Sequence, residues 1–319
     1  MTTHDQALAS APSLDVIVSV DVEEHYRIEA AKGLLLAPHE EEYYRRRVVC
    51  VTQWLLDRLA QHNIRATFFI VGDLARREPR LVRTIAAQGH EIACHGWDHR
   101  RLSELGCAAF REQLRRSRQV LEELSGAQVA GFRAPTFSLG RTTPWAPQLL
   151  LEEGFRYDSS IYPIRHDRYG DPTLPLSAFY LETEAGRLLE LPPLVWTWRG
   201  RRIPAAGGGY FRLFPGALLS LALRQQARLR PHTPAMLYFH PWEFDPHQKK
   251  LPLARLRAWR TYFGITRTRP RWQKLLRLLS GNADSHTPPW RCLRAIDAAE
   301  KILASGKDLP HICLTGAGV

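Results

Sequence analysis

Three short runs in this sequence hold the residue types that can bind a metal ion and move a proton. They are Asp21-Val22-Glu23-Glu24-His25, His95-Gly96-Trp97-Asp98-His99 and Leu237-Tyr238-Phe239-His240-Pro241. Two imidazoles and one carboxylate make a donor set for zinc or another divalent transition metal. A second carboxylate beside the ligand can accept a proton, and an imidazole that titrates near neutrality can return one. A metal-assisted hydrolase needs these parts. In a strand of period two, Asp21 and Glu23 point the same way, and two carboxylates side by side suit a metal ligand next to a general base. Histidines four apart share a face if their segment makes one helical turn. The run is not HExxH, because glycine stands at 96 where a zincin carries its glutamate. Two further polar runs are Arg133-Ala134-Pro135-Thr136-Phe137 and Tyr157-Asp158-Ser159-Ser160. An arginine such as Arg133 can fix a carboxylate through a bidentate contact.

These runs must be positioned, and the sequence between them alternates strands and helices. Asp15–Val20, Ala66–Val71, Glu91–Cys94, Val129–Arg133, Arg156–Ser159, Leu188–Leu191 and Met236–Phe239 read as strands. Arg46–His62, Pro79–Gln88, Ala108–Leu124 and Trp145–Glu153 read as helices, several ending at glycine. The polar runs fall at strand ends, where an α/β barrel places its active face. No GxGxxG follows the first strand, and Gly207-Gly208-Gly209 lacks the lysine of a phosphate loop, so the triplet reads as a flexible turn.

The chain has 319 residues and a formal charge of +12, from 44 Lys and Arg against 32 Asp and Glu. Between Leu191 and Gly281 the acids are Glu243 and Asp245 alone, amid many arginines. Such a face attracts polyanions or an anionic membrane surface. The five cysteines are scattered and form no CxxC, as in a reduced cytoplasmic protein. No secretory leader is read at the N-terminus and no apolar run is long enough to span a bilayer. The expected location is cytoplasmic, peripheral at most to the inner membrane face.

In their order, the five runs resemble the polysaccharide deacetylases of the NodB-homology superfamily (carbohydrate esterase family four) over about residues 14–245. The DVEE form of the first run and the stretch Gly207–Pro215 resemble the exosortase-associated exopolysaccharide branch. The resemblance implies an α/β fold, a distorted (β/α)7 barrel with a C-terminal helical, basic extension. It implies a divalent metal, zinc by default, on His95, His99 and a carboxylate of the first run, Glu23 or Glu24, with Glu23 preferred because strand alternation sets it beside Asp21. By the same resemblance Asp21 is the general base, Arg133 orients it, His240 protonates the leaving amine and Asp158 orients His240. Tyr26, Trp97, Pro135, Phe137 and Trp242 are the expected sugar contacts. The family form has adjacent aspartates, and here residue 22 is valine.

The implied division is a disordered N-terminus over 1–14, a deacetylase domain over 15–245, a basic helical extension over 246–283 and a tail over 284–319. A linker is read over 282–289 and a last helix over 290–305. The expected partner is an N-acetylated glycan, with possible contact to an anionic lipid carrier and no nucleic acid. The alternatives are a metal-free cyclic imide or ureide hydrolase and a non-catalytic basic glycan-binding protein. A non-haem iron oxygenase fits the triad but not the spacing.

Overall fold

The computed structural model describes residues 14–281 and 290–314. The expected disorder before residue 14 and the linker over 282–289 lie outside the described residues. In chain order the elements begin with β1 (Leu14–Val22), α1 (Pro38–Gln61), β2 (Thr67–Ile70), α2 (Gly72–Arg77), α3 (Pro79–Ala87) and β3 (Glu91–Cys94). Next come α4 (Gly106–Ser125), β4 (Gly131–Phe132), α5 (Ala146–Glu152), β5 (Tyr157–Asp158) and the hairpin of β6 (Phe179–Thr183) and β7 (Gly186–Glu190). A second hairpin, β8 (Val195–Trp198) and β9 (Arg201–Pro204), precedes α6 (Gly208–Leu213), α7 (Gly216–Leu229) and β10 (Ala235–Phe239). The last elements are α8 (Arg255–Tyr262), α9 (Thr268–Ser280), β11 (Trp290–Leu293), α10 (Ala295–Ala304) and β12 (His311–Ile312).

Seven strands run parallel in the order β10-β1-β2-β3-β4-β5-β7. The ring then closes at a single point, a parallel bridge between Pro193 and Met236 in which the Leu194 N–H donates to the Met236 carbonyl at 2.9 Å. This is a distorted seven-stranded α/β barrel. The chain leaves the seam at Leu194, makes the β8–β9 hairpin, and returns where the N–H groups of Ala205 and Ala206 both donate to the Leu194 carbonyl.

Alternation along β1 sorts the core. Val16, Val18, Val20 and Val22 pack outward against the helices, whereas Ile17 joins the barrel interior with Phe69, Ala93, Tyr157, Leu189 and Met236. The inward series continues upward through Ser19 to Asp21, both bonded to the same guanidinium. The lower interior is therefore apolar and the upper end polar. Gly131 is required by packing: a Cβ there would lie 2.1 Å from the Tyr157 ring, which fills the space.

The segment after residue 290 is not the single helix expected over 290–305. Residues 290–293 form β11, which pairs with the lower half of β1, and only then does α10 begin. Helix α10 lies across the bottom of the barrel, with Ala295, Ala298, Ala299 and Ile302 in the interior cluster. Its N-terminus meets a buried carboxylate: Glu91 accepts the Ile296 N–H at 2.9 Å, the Thr67 hydroxyl at 2.8 Å and the Tyr157 hydroxyl at 2.7 Å. A helix N-terminus favours a negative group at that place. Helix α9 is also part of the packing. Trp272 is buried against Phe239 and Phe244, and Arg269 donates to the Phe244 carbonyl at 2.7 Å.

Next to Glu91, His90 is buried and its Nδ1 accepts the Ala66 N–H at 3.0 Å. Burial first, then the charges of Arg65 and Arg294, push this imidazole down to about 4 from 6.5. The unfolded chain then takes up this proton first as pH falls, so the stability it contributes is complete above 6.5 and lost between 6.5 and 4. The loss is about 3 kcal/mol at most. Glu91, raised to about 6 chiefly by burial, acts in the opposite sense, costing stability as pH rises from 4.5 through 6. A His90→Gln variant isolates the histidine: its melting temperature should fall less steeply than wild type between pH 6.5 and 4. Parallel curves would show that His90 does not titrate in this way.

Candidate active site

At the upper end of β1, Asp21 and Glu23 face inward together and are buried. Val22 packs outward and Glu24 turns away to an ion pair with Arg27 at 2.5 Å. The parity that selects Glu23 over Glu24 is the parity of the strand. Glu23 Oε2 makes an ion pair with His99 Nε2 and lies 4.0 Å from His95 Nε2. Donor atoms of Glu23, His95 and His99 all lie within 4.8 Å of one another. Glu23 Oε2 is buried, with the two imidazole nitrogens as its near partners among the described residues.

His95 donates from Nδ1 to the Arg133 carbonyl at 2.8 Å, which leaves Nε2 as the lone-pair nitrogen facing Glu23. Burial pushes His95 down to about 4, so it is neutral at pH 7, as a ligand must be. Glu23 is held at about 2: burial opposes its charge, but His99, His240 and His95 together outweigh that. A neutral imidazole, a second imidazole and a buried, ionised carboxylate, their donor atoms converging, fit a divalent cation. The expected helical turn over 95–99 is not formed. Gly96 has φ +72° and His99 φ +65°, so the chain turns back through left-handed backbone to bring the second ring round. A Cβ on Gly96 would meet Pro135 Cγ at 3.3 Å, so Pro135 supports this loop from beneath.

Arg133 is fully buried and stands in the middle of the barrel. It donates to Asp21 Oδ1 at 2.6 Å, to Ser19 Oγ at 2.9 Å, and to the Ser159 carbonyl and hydroxyl at 3.1 and 3.0 Å. Its guanidinium also stacks on Phe69, 4.0 Å from the ring centre. Asp21 is thus held by one oxygen, and its other oxygen lies 3.9 Å from His240 Nε2.

His240 follows β10 and partly faces an open cleft. Its Nε2 is 3.8 Å from Glu23 Oε1, and its Nδ1 is 3.4 Å from Glu243 Oε2. Glu243 also accepts the His240 N–H at 2.9 Å and an Arg212 N–H at 2.6 Å. Burial works against a charged ring here, but the Glu243 hydrogen bond and charge, with Glu23 and Asp21 behind, hold His240 up at about 9. Arg212 in turn keeps the Glu243 carboxyl below its usual range against the opposing effect of burial.

Asp158, expected beside His240, stands elsewhere. In β5, Tyr157 fills the interior and Ser159 reaches Arg133, so Asp158 between them faces out. It accepts the Ser160 hydroxyl at 2.5 Å and is paired with Glu190. Burial raises both carboxyls; the Asp158 charge and hydrogen bond lift Glu190 further, well above the usual range, while the Glu190 hydrogen bond draws Asp158 down, so the proton of the pair stays on Glu190. The residue that sequence reasoning missed is Glu243. A signal was present: Glu243 sits three residues after His240, the spacing by which a side chain returns to an N-cap.

The glycines read as a flexible turn serve close approach instead. A Cβ on Gly208 would lie 1.7 Å from Glu243 Oε2, and one on Gly207 2.5 Å from the Tyr238 hydroxyl. Of the expected sugar contacts, Trp242 lines the cleft. Phe137 is buried with Tyr162, Tyr169 and Tyr238 around it. Tyr26 bonds Glu24 and packs on Tyr44, away from the cleft. Trp97 is buried under Arg116 and against Gly72, so it belongs to helix packing.

Residues 43–151 match the polysaccharide deacetylase family model. That stretch is similar to a polysaccharide deacetylase domain. Residues 159–283 match a second model, a domain of unknown function (DUF3473). The chain is 36% identical over 84 residues to the peptidoglycan-N-acetylglucosamine deacetylase of Bacillus cereus, covering 26% of this chain and 30% of that protein. It is 40% identical over 85 residues to the chitooligosaccharide deacetylase of Sinorhizobium fredii, covering 26% and 40%. The match thus spans less than half the length of these curated relatives. In fold, the chain is similar to a probable polysaccharide deacetylase of Pseudomonas aeruginosa PAO1 (TM-score 0.63, 18% identity, 93% of each chain). It is equally similar to Puue allantoinase (TM-score 0.62, 19% identity, 93% of each chain). No described helix is long and apolar enough to cross a membrane.

Proposed function

We propose that this protein removes N-acetyl groups from amino sugars of a glycan, using one divalent cation held by Glu23, His95 and His99. The observation that carries the reading is the meeting of that triad with Asp21 and His240 at the end of a cleft. When bound, such an ion polarises an amide carbonyl and lowers the pKa of water. Asp21, fixed by Arg133, takes the proton from the attacking water. His240, charged at neutral pH, gives a proton to the departing amine, because an amine leaves far more readily than its anion. Glu243, anchored by Arg212, holds the ring so that Nε2 faces the reacting group. An exopolysaccharide or its lipid-linked precursor is the proposed substrate, supported by the resemblance of the first run and of Gly207–Pro215 to that branch.

The test is metal content together with acetate release from N-acetylated oligosaccharides, on wild type and His95→Ala/His99→Ala. About one zinc per chain is expected, lost in the variant along with acetate release. A protein without metal that opens allantoin and releases no acetate would instead be a ureide hydrolase. Glu243 gives a separate prediction. Glu243→Gln removes a charge that raises His240, so the ring loses its proton at lower pH. A general acid works only while protonated, so the alkaline limb of the pH–rate profile should move down by about one unit. An unmoved limb would assign that limb to another group.

A further inference from the structure

Beside His240 the cleft, about 330 Å³ in volume, has a wall that the acetyl chemistry leaves unused. Tyr169, Tyr210, Trp242 and Trp259 line it together with Arg168, Arg257 and Arg260. The two carboxylates that line the cleft are already matched: Glu29 lies 3.4 Å from Arg101, and Glu243 2.6 Å from Arg212. Arg212 is further committed to the carbonyls of Thr261 and Phe263. The other three guanidiniums are not balanced. Among the described residues, Arg168 and Arg257 have no carboxylate within 4.0 Å, and Arg260 reaches only Asp167, at 3.8 Å with both side chains more than half exposed.

A run of neutral N-acetylhexosamines offers three arginines nothing that water does not. A carboxylate does: the planar guanidinium grips it by two parallel N–H groups, and unbalanced positive charge in a cleft concentrates anions. The neighbouring rings suit the apolar face of a pyranose. We propose that this wall is a subsite for an anionic sugar unit, a carboxylate-bearing residue of the uronic acid kind, next to the N-acetylated sugar at His240. The subsite's place in the substrate rests on the deacetylase reading, but its binding does not.

The experiment is calorimetric binding by the full chain, with two tetrasaccharides as probes. N-acetylchitotetraose is neutral, and the hyaluronan tetrasaccharide alternates N-acetylglucosamine with glucuronate. The acidic probe should bind about tenfold tighter and weaken with salt. Arg168→Gln/Arg257→Gln/Arg260→Gln should lose that advantage while binding the neutral probe as before. Equal affinity for the two probes in wild type, or an advantage that survives the triple substitution, would overturn the subsite. So would loss of binding to phosphatidylglycerol vesicles in the variant with no sugar preference in wild type, which would make the arginines a lipid-facing surface. Acetate release in the same mixtures separates the two readings. A preference for the acidic probe without acetate supports the subsite and removes the deacetylase; acetate released equally well from both probes removes the subsite.

Discussion

Asp21→Asn should lower kcat by about a thousandfold while the protein keeps its metal. Asparagine has the shape of aspartate and its carbonyl oxygen can still accept the Arg133 N–H, now 2.6 Å from Asp21 Oδ1. It cannot take a proton. The triad of Glu23, His95 and His99 does not include Asp21, so metal content should stay at the wild-type level. The contrast with His95→Ala/His99→Ala, which should lose both, divides base from ligand. Near-normal turnover in Asp21→Asn would remove Asp21 from the proton-transfer role and turn attention to Glu23 Oε1, 3.8 Å from His240.

The second large effect is expected far from the chemistry, at the bottom of the barrel. Ala299 is fully buried on the face of α10 that closes the apolar interior, in one cluster with Ile17, Phe69 and Leu189. Ala299→Asp places a carboxylate there without a partner and should cost about 3 kcal/mol or more. Leu303, on the same helix but 38% exposed, is the control: Leu303→Asp should change stability by about 0.5 kcal/mol or less. Urea unfolding of both variants measures the contrast. Equal losses would mean that α10 is not docked by that face.

How far the sequence reveals this arrangement depends on which physical rule governs each residue. Strand alternation placed Asp21 with Glu23, and the same rule applied to β5 would have turned Asp158 away from the site, since Tyr157 and Ser159 claim the interior. The barrel's parallel order follows from the βα alternation. Of the four hairpin strands only β7 is legible, as Leu188–Leu191; β6, β8 and β9 are short and partly polar and give no clear signal. The backbone of the metal loop was not readable either. Spacing alone cannot distinguish a helical turn from a turn with left-handed residues at Gly96 and His99. The plug formed by α10 carries a weak signal because its buried face is mostly alanine, which reads as helix anywhere. Arg212 and Glu243 became a pair only through the close passage of α6 that Gly208 permits.

The closure of the barrel at one bridge has a consequence for how such a protein can diversify. The β8–β9 hairpin leaves and rejoins the wall at a single carbonyl, that of Leu194. Its tip turns through Arg199 and Gly200, both in left-handed backbone, and carries the half-exposed Trp198. Its attachment resembles a graft more than a stave. It is tied by Thr197 to Gln225 of α7 and by Arg202 to the Pro163 and Leu174 carbonyls, none of them in a strand of the ring, so lengthening or trimming its tip changes no register between β10, β1 and their neighbours. A lineage can therefore remodel the outer lip at this seam without renegotiating the geometry that holds Asp21, Arg133 and His240.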